Sequence, residues 1–211
     1  MGTYTMKQQS VTILCPFCNK EQETNLYPII DLAAKPTLKL GILTGSLFSA
    51  TCESCQGQFE VMHEALILNG EAFYAFLLAP DYQGAELDRG EASLGELSGY
   101  QLRLVSTLDT LKEKILLFDS GLDDRAIELC KLYLLMQMQD KDVDMLFAEH
   151  QVSQGKLMFS VFDQQGVLQE SIECEDALYS QLYAKAQSFS LEEQVFTRID
   201  VNWAYGKIAN A

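Results

Sequence analysis

Two short cysteine hooks constrain this 211-residue chain more than any other feature. Cys15-Pro16-Phe17-Cys18 and Cys52-Glu53-Ser54-Cys55 are separated by 33 residues. A C-x-x-C unit bends the backbone so that two thiolates face one point, and two such units complete a tetrahedral four-sulfur site. Zinc is the expected ion, structural in role, with Cys15, Cys18, Cys52 and Cys55 as its ligands. Any fold must then bring residues 15–18 against residues 52–55. Asn19 tolerates the left-handed backbone expected after the first hook. Gly57 is expected to supply positive φ after the second.

Other chemistries fit the hooks less well. Cys-Pro-Phe-Cys looks locally like a glutaredoxin site, where a following helix lowers the thiol pKa. Residues 19–25 (NKEQETN) carry no apolar stripe for such a helix, and a redox site leaves the second hook unexplained. A thiol sensor that releases zinc on oxidation is the alternative. Catalytic zinc keeps an open position, usually beside histidine or carboxylate, and His63 and His150 are the only histidines. His63 reads as a surface group or a neighbour of the metal ligands, and His150 as a solvated strand residue. Cys130 and Cys174 read as small buried apolar side chains.

Charge narrows the partners. Fifteen basic against thirty acidic residues give a net charge of −15, and a phosphate backbone is repelled by that field. A basic patch around the hooks is missing too, because the first 80 residues hold four lysines against seven acidic residues. A protein partner, or a second copy of the chain, is the expected contact. Residues 1–10 lack an apolar core, and the longest apolar run, residues 72–79 (AFYAFLLA), falls far short of the roughly 20 residues of a membrane span. The expected compartment is a reducing cytoplasm, where C-x-x-C pairs bind metal more often than they form structural disulfides.

The patterning predicts an α+β fold: an N-terminal zinc ribbon within an antiparallel sheet, then a helix-plus-meander lobe. Residues 1–10 are polar and expected to fray. Strands are expected at 11–14, 24–30 and 47–51 with a short helix at 37–43, and Asn69-Gly70 is a hairpin signal between 58–68 and 72–78. Residues 81–99, punctuated by Gly84, Gly90, Gly95 and Gly99, read as an irregular linker between lobes 1–80 and 100–211. A strand at 100–106 opens the second lobe. Two helices follow, with capping signals at Ser106 to Asp109 and Ser120 to Asp123. The second turns apolar nearly all round at 132–136 and reads as the core helix. Three strands (145–152, 156–162, 166–172), an amphipathic helix at 175–187 and a Trp203-anchored tail complete the lobe.

The proline-bearing first hook, the spacing, Ser46-Leu47-Phe48 and the run at 108–131 (LDTLKEKILLFDSGLDDRAIELCK) together resemble the bacterial CpXC family, over about residues 12–132. The resemblance implies that the four cysteines are zinc-ribbon ligands, and it implies no particular activity. Asn19-Lys20 departs from the glycine that many zinc knuckles place after the second cysteine.

No G-x-S-x-G, phosphate-cradling loop or Ser/His/Asp ordering is present, so the chain reads as a non-enzymatic interaction module. One enzymatic alternative is a site at Asp123, Asp124 and Arg125, where adjacent carboxylates beside a guanidinium could place a base. Helix-start electrostatics plus an ion pair account for the same residues.

Overall fold

The computed structural model describes residues 8–87, 97–139 and 142–209. Gly90, Gly95 and the first seven residues, all subjects of expectations above, lie outside the described residues. The chain is mixed α and β and divides into two compact units. One takes in the described residues up to Leu111 together with Gln194–Thr197, and the other comprises Lys112–Glu193 and the described residues from Arg198 onward. No helix among the described residues is long and apolar enough to cross a membrane.

The first unit holds two small antiparallel ladders. Strand β1 (Gln9–Leu14) pairs with β2 (Glu21–Leu26), so residues 9 and 10 are ordered partners of Leu26 and Asn25 rather than part of a frayed end. Strand β4 (Ser49–Thr51) pairs with β5 (Gln58–Glu60). Each cysteine hook is the turn of one ladder. The single strand expected at 24–30 is interrupted at Pro28, which has no N–H for a ladder. The chain resumes as β3 (Ile29–Asp31), while the Pro28 carbonyl accepts from Leu66 N–H at 2.8 Å. Helix α1 (Thr37–Leu43) matches its expected bounds.

The principal sheet corrects the expectation of one antiparallel sheet carrying the hooks. It is a separate, mixed sheet of six strands ordered β3-β6-β7-β9-β13-β8. Strands β6 (Ala65–Asn69), β7 (Tyr74–Leu78) and β9 (Gln101–Val105) form its centre. β7 runs antiparallel to β6 but parallel to β9, with Tyr74 opposite Gln101. The physical reason is visible in the run 72–79. Every residue of β7 is buried, and an unbroken apolar strand suits a position covered on both faces, as in parallel pairing. Strand β8 (Glu86–Leu87) lies within the stretch read as irregular, and it pairs with β13 (Phe196–Thr197).

The Asn69-Gly70 hairpin forms, but not as a two-residue turn. Residues 70–73 make the loop, with Asn69 opposite Tyr74. The Asn69 side-chain oxygen accepts from the N–H groups of Glu71 (3.0 Å) and Ala72 (3.2 Å). Asparagine acts here through its side chain, and the positive φ falls on Phe73.

Helix α2 (Leu108–Asp119) runs across the boundary between the units. Its start is a reciprocal cap one residue later than the Ser106 signal. The Thr107 hydroxyl accepts from Thr110 N–H at 3.1 Å, and the Thr110 hydroxyl accepts from Thr107 N–H at 3.3 Å. In the second unit, helix α3 (Asp124–Gln137) packs on an antiparallel meander of β10 (Asp144–Gln151), β11 (Lys156–Phe162) and β12 (Leu168–Glu175). Helix α4 (Asp176–Ala186) and helix α5 (Val201–Ala209) flank α3, and Ala126, Leu129, Ala186 and Ala204 share an apolar cluster. Small side chains let these helices approach closely.

The buried part of α3 is not its apolar end. Tyr133 and Met136 are exposed, whereas residues 126–131 are buried, Glu128 and Lys131 included. Lys131 Nζ lies 2.6 Å from Glu113 and 3.0 Å from Glu128, while Lys114 Nζ lies 3.1 Å from Asp124 and 3.3 Å from Glu128. All five side chains are at most 3% exposed. Lys114 also donates to the Ile199 carbonyl (2.7 Å), and Glu113 accepts from Phe147 N–H. Removing one partner of a buried ion pair strands the other in low dielectric, at a cost of about 3–5 kcal/mol. Lys131→Met is therefore expected to lower urea stability of the second unit by about that amount, because Glu113 and Glu128 both lose a cation. A loss below about 1 kcal/mol, the scale of an exposed pair, would refute this account.

Candidate metal centre

The hooks are built alike from the backbone upward. In the first, Cys15 N–H donates to the Lys20 carbonyl (3.0 Å) and Asn19 N–H to the Cys15 carbonyl (2.9 Å). In the second, Cys52 N–H donates to the Gly57 carbonyl (2.8 Å) and Gln56 N–H to the Cys52 carbonyl (2.9 Å). Both turns reverse the chain through one left-handed residue, Asn19 at φ 57° and Gln56 at φ 59°. The first expectation holds for Asn19. For Gly57 the position shifts, because Gln56 carries the positive φ and Gly57 serves a different need. A Cβ at Gly57 would sit 2.4 Å from Phe17 Cδ2, so glycine leaves room for the Phe17 ring.

The hooks meet at their sulfurs. Cys15 and Cys55 Sγ are 3.6 Å apart, as are Cys18 and Cys52 Sγ, and all four sulfurs lie within 4.8 Å of one another. A disulfide needs about 2.0 Å, and all four cysteines are free. A tetrahedral ion with metal–sulfur bonds of about 2.3 Å sets its sulfurs about 3.8 Å apart. The cluster therefore matches a four-sulfur cage around one metal ion.

Each sulfur also receives a backbone N–H from the residue two positions on. Phe17 donates to Cys15 at 3.4 Å, and Lys20, Ser54 and Gly57 donate to Cys18, Cys52 and Cys55. These donors favour thiolates over thiols. The N–H groups of Cys55 and Ser54 help pull Cys52 down to about 6. Cys55 moves the other way, to about 12. The Gly57 N–H favours its thiolate, but desolvation and the neighbouring cysteines outweigh that donor. The same balance raises Cys18 despite the Lys20 N–H. Four thiolates cannot share this space without a cation, and the split expresses that repulsion.

Two further side chains set the geometry: His63, expected to be a surface group or a neighbour of the metal ligands, and Gln22, for which no role was expected. Gln22 on β2 donates to the Thr51 carbonyl (3.2 Å) and accepts from Glu53 N–H (3.2 Å), tying one ladder to the other hook. His63 accepts from Tyr27 N–H at Nε2 (3.2 Å), pairs Nδ1 with the Val61 carbonyl (3.2 Å), and stacks at a tilt on Phe48 with centroids 5.1 Å apart. Both ring nitrogens are thus engaged by backbone. His63 is a structural tie.

The other sequence candidates lie in the second unit. Asp123 caps α3, accepting from Arg125 N–H (2.9 Å), and binds the Arg125 guanidinium at 3.0 and 2.6 Å. Arg125 also donates to the Phe189 carbonyl (3.1 Å), and Gln187 donates to Asp123 (2.9 Å). Asp124 points away into the buried pairing with Lys114. The two adjacent carboxylates thus serve separate structural partners. His150 is not simply solvated, since Nε2 contacts both Asp176 oxygens at 3.1 and 3.2 Å.

A model of the CpXC protein family matches residues 13–131, more than half of the chain. The chain belongs to the CpXC family. The matched segment includes both hooks and ends within α3. No curated protein and no solved structure matches the CpXC chain.

The crowding of Phe17 against Gly57 yields a test internal to the hooks. Gly57→Ala is expected to destabilise the first unit by roughly 1–3 kcal/mol, as overpacking does. In a Phe17→Ala background the same change should cost much less. A double-mutant cycle read by thermal melts measures the coupling, and additive effects would sink the steric explanation.

Proposed function

We propose that the CpXC chain holds a structural zinc ion in a zinc ribbon formed by its two hooks, and that the clamped unit acts as a non-enzymatic protein-interaction module in the cytoplasm. The observation that carries the metal reading is the closed set of four sulfurs within 4.8 Å of one another, each with its own N–H donor. An all-cysteine set leaves no open position for substrate, which favours a structural ion over a catalytic one. Zinc suits such a site because it takes four thiolates tetrahedrally and has no redox chemistry of its own.

The interaction reading rests on the surface beside the clamp. Phe17 is 65% exposed and Leu14 60% exposed, and Gly57 is kept free of a side chain for the Phe17 ring. An exposed aromatic in a fixed position is a common anchor for a protein partner, either another protein or a second copy of the chain. The net charge of −15 disfavours nucleic acid. A second reading, zinc release on thiol oxidation, draws support from Cys55, which is exposed while Cys15 and Cys52 are buried. Oxidant would meet that sulfur first.

Structural zinc of this kind contributes about 10–16 kcal/mol, comparable to the roughly 5–15 kcal/mol of a whole domain. Purified protein is expected to carry one zinc per chain, and Cys15→Ser to unfold the first unit. Protons compete with zinc for thiolates, so metal should be lost as pH falls, not as it rises. Less than half an equivalent of zinc with all thiols reduced would defeat the metal reading. Pull-down from native extract with wild-type and Phe17→Ala protein, both zinc-loaded, tests the interaction reading. A partner or self-association lost in the variant supports it, and indifference to Phe17 overturns the assigned surface.

A further inference from the structure

We propose that oxidation joins the two hooks to each other, as Cys15–Cys55 and Cys18–Cys52 disulfides, and that these links hold the two ladders together once the metal ion is gone. This rests on the second reading above, zinc release on thiol oxidation, and names the bonds by which that release proceeds. A C-x-x-C unit closes on itself in disulfide oxidoreductases. The sulfur contacts here favour the other pairing. Cys15 and Cys55 Sγ are 3.6 Å apart although 40 positions separate them, and Cys18 and Cys52 Sγ are 3.6 Å apart across 34 positions. Both contacts have hydrogen-bond geometry, and both run between the hooks. Among the described residues, neither hook makes such a contact between its own two sulfurs.

Exposure sets the order. Cys55 is exposed and Cys18 half-buried, whereas Cys15 and Cys52 are buried. A ligating sulfur is held as thiolate by the metal itself. In the loaded protein, access therefore decides which sulfur meets an oxidant first. That sulfur is Cys55, and the sulfur in contact with it is Cys15.

The chemistry balances with hydrogen peroxide as oxidant. The Cys55 thiolate attacks one peroxide oxygen and breaks the O–O bond, giving a sulfenic acid and hydroxide, which takes up a proton to become water. The Cys15 thiolate then attacks the sulfenic sulfur. The S–S bond forms, the S–O bond breaks, and the departing hydroxide takes up a second proton. Two thiolates lose two electrons, and one peroxide becomes two waters. Cys18 and Cys52 alone cannot close a four-sulfur cage, so the ion is given up. A second peroxide links Cys18 to Cys52 by the same steps.

The pairing decides whether the first unit survives metal loss. Hooks closed on themselves leave the β1–β2 and β4–β5 ladders tied by neutral contacts such as those of Gln22. Cross-hook links close loops of 40 and 34 positions, and a longer closed loop constrains the unfolded chain more. The oxidised protein is then a locked, metal-free form that a thiol reductant reopens to zinc.

The experiment treats zinc-loaded, full-length wild-type protein with increasing hydrogen peroxide and follows released zinc with a chromogenic chelator. Free thiols are then alkylated and unreduced peptides mapped by mass spectrometry. Trypsin cuts after Lys20 and Lys39 and so separates the hooks. A cross-hook link therefore joins two peptides, and a within-hook link joins none. The expected result is zinc release in step with the Cys15–Cys55 link, a later Cys18–Cys52 link, and reversal of both by dithiothreitol. In excess EDTA the oxidised protein should melt at a higher temperature than the reduced protein. Zinc release with Cys15–Cys18 and Cys52–Cys55 links, or with any other cross-hook pairing, overturns the proposal and leaves the oxidation reading intact. Zinc kept until the thiols are irreversibly oxidised defeats both. Protein that carries no zinc defeats the metal reading, and the same map on its reduced thiols still decides the pairing. An oxidised form no more heat-stable than the reduced one overturns the locking role.

Discussion

Four sulfurs held within 4.8 Å of one another set a problem that the first unit solves only in part by itself. Backbone N–H groups two residues ahead of each cysteine lower the cost of negative charge, yet four anions still repel. Left as thiols they divide, with Cys52 drawn to about 6 and Cys55 driven to about 12. A dication at the centre removes the conflict and turns repulsion into cohesion. The flanking ladders need that cohesion. Strands β4 and β5 have three residues each, and isolated two-stranded pairs are marginal in water. Gln22 and His63 supply additional ties, but they are neutral contacts worth about 1 kcal/mol apiece.

The second unit handles buried charge in the opposite way. Three carboxylates from two helices face two lysines in a core closed to water, so the neutralising cations are part of the chain. Glu128 lies between the two lysines and is shared by both. Glu128 Oε2 has no hydrogen-bond partner, and burial pushes the Glu128 carboxyl up against the opposing pull of Lys131 and Lys114. Asp124, a candidate catalytic base when considered beside Asp123 and Arg125, is one of these paired anions.

Spacing and turn chemistry carried much of this fold. The hooks, the left-handed Asn19 and the meander are local, and local signals survive without tertiary knowledge. The start signal at Ser120 to Asp123 lay at the right helix, but the residue that caps it is Asp123 rather than Ser120. What escaped was long-range. The parallel register of β7 on β9 depends on a crossover between distant residues, and only the unbroken run AFYAFLLA hinted at a strand covered on both faces. Glu113, Lys114, Glu128 and Lys131 follow ordinary surface composition, and nothing in their spacing shows that two helices will turn them inward. Gln22 was equally silent, since a polar residue on an exposed-looking strand has many uses. Gly57 was singled out for the wrong reason. Glycine marks both positive φ and close approach, and only the Phe17 ring distinguishes them.

Strand β13 makes the sheet depend on residues that lie far beyond the family-matched segment. Phe196 and Thr197 pair with β8 and β9 in the sheet that begins at Ile29, although the residues on either side of Gln194–Thr197 belong to the other unit. The family-matched segment, ending at residue 131, is therefore not a self-contained piece of this molecule. Cut there, it would lose the strand that occupies the outer side of β9 and leave apolar Leu102 and Leu104 beside unpaired backbone groups, the condition that invites edge-to-edge aggregation. During synthesis the same condition holds for a time. The sheet stays open until residues 196 and 197 have left the ribosome, well after the family-matched segment has emerged.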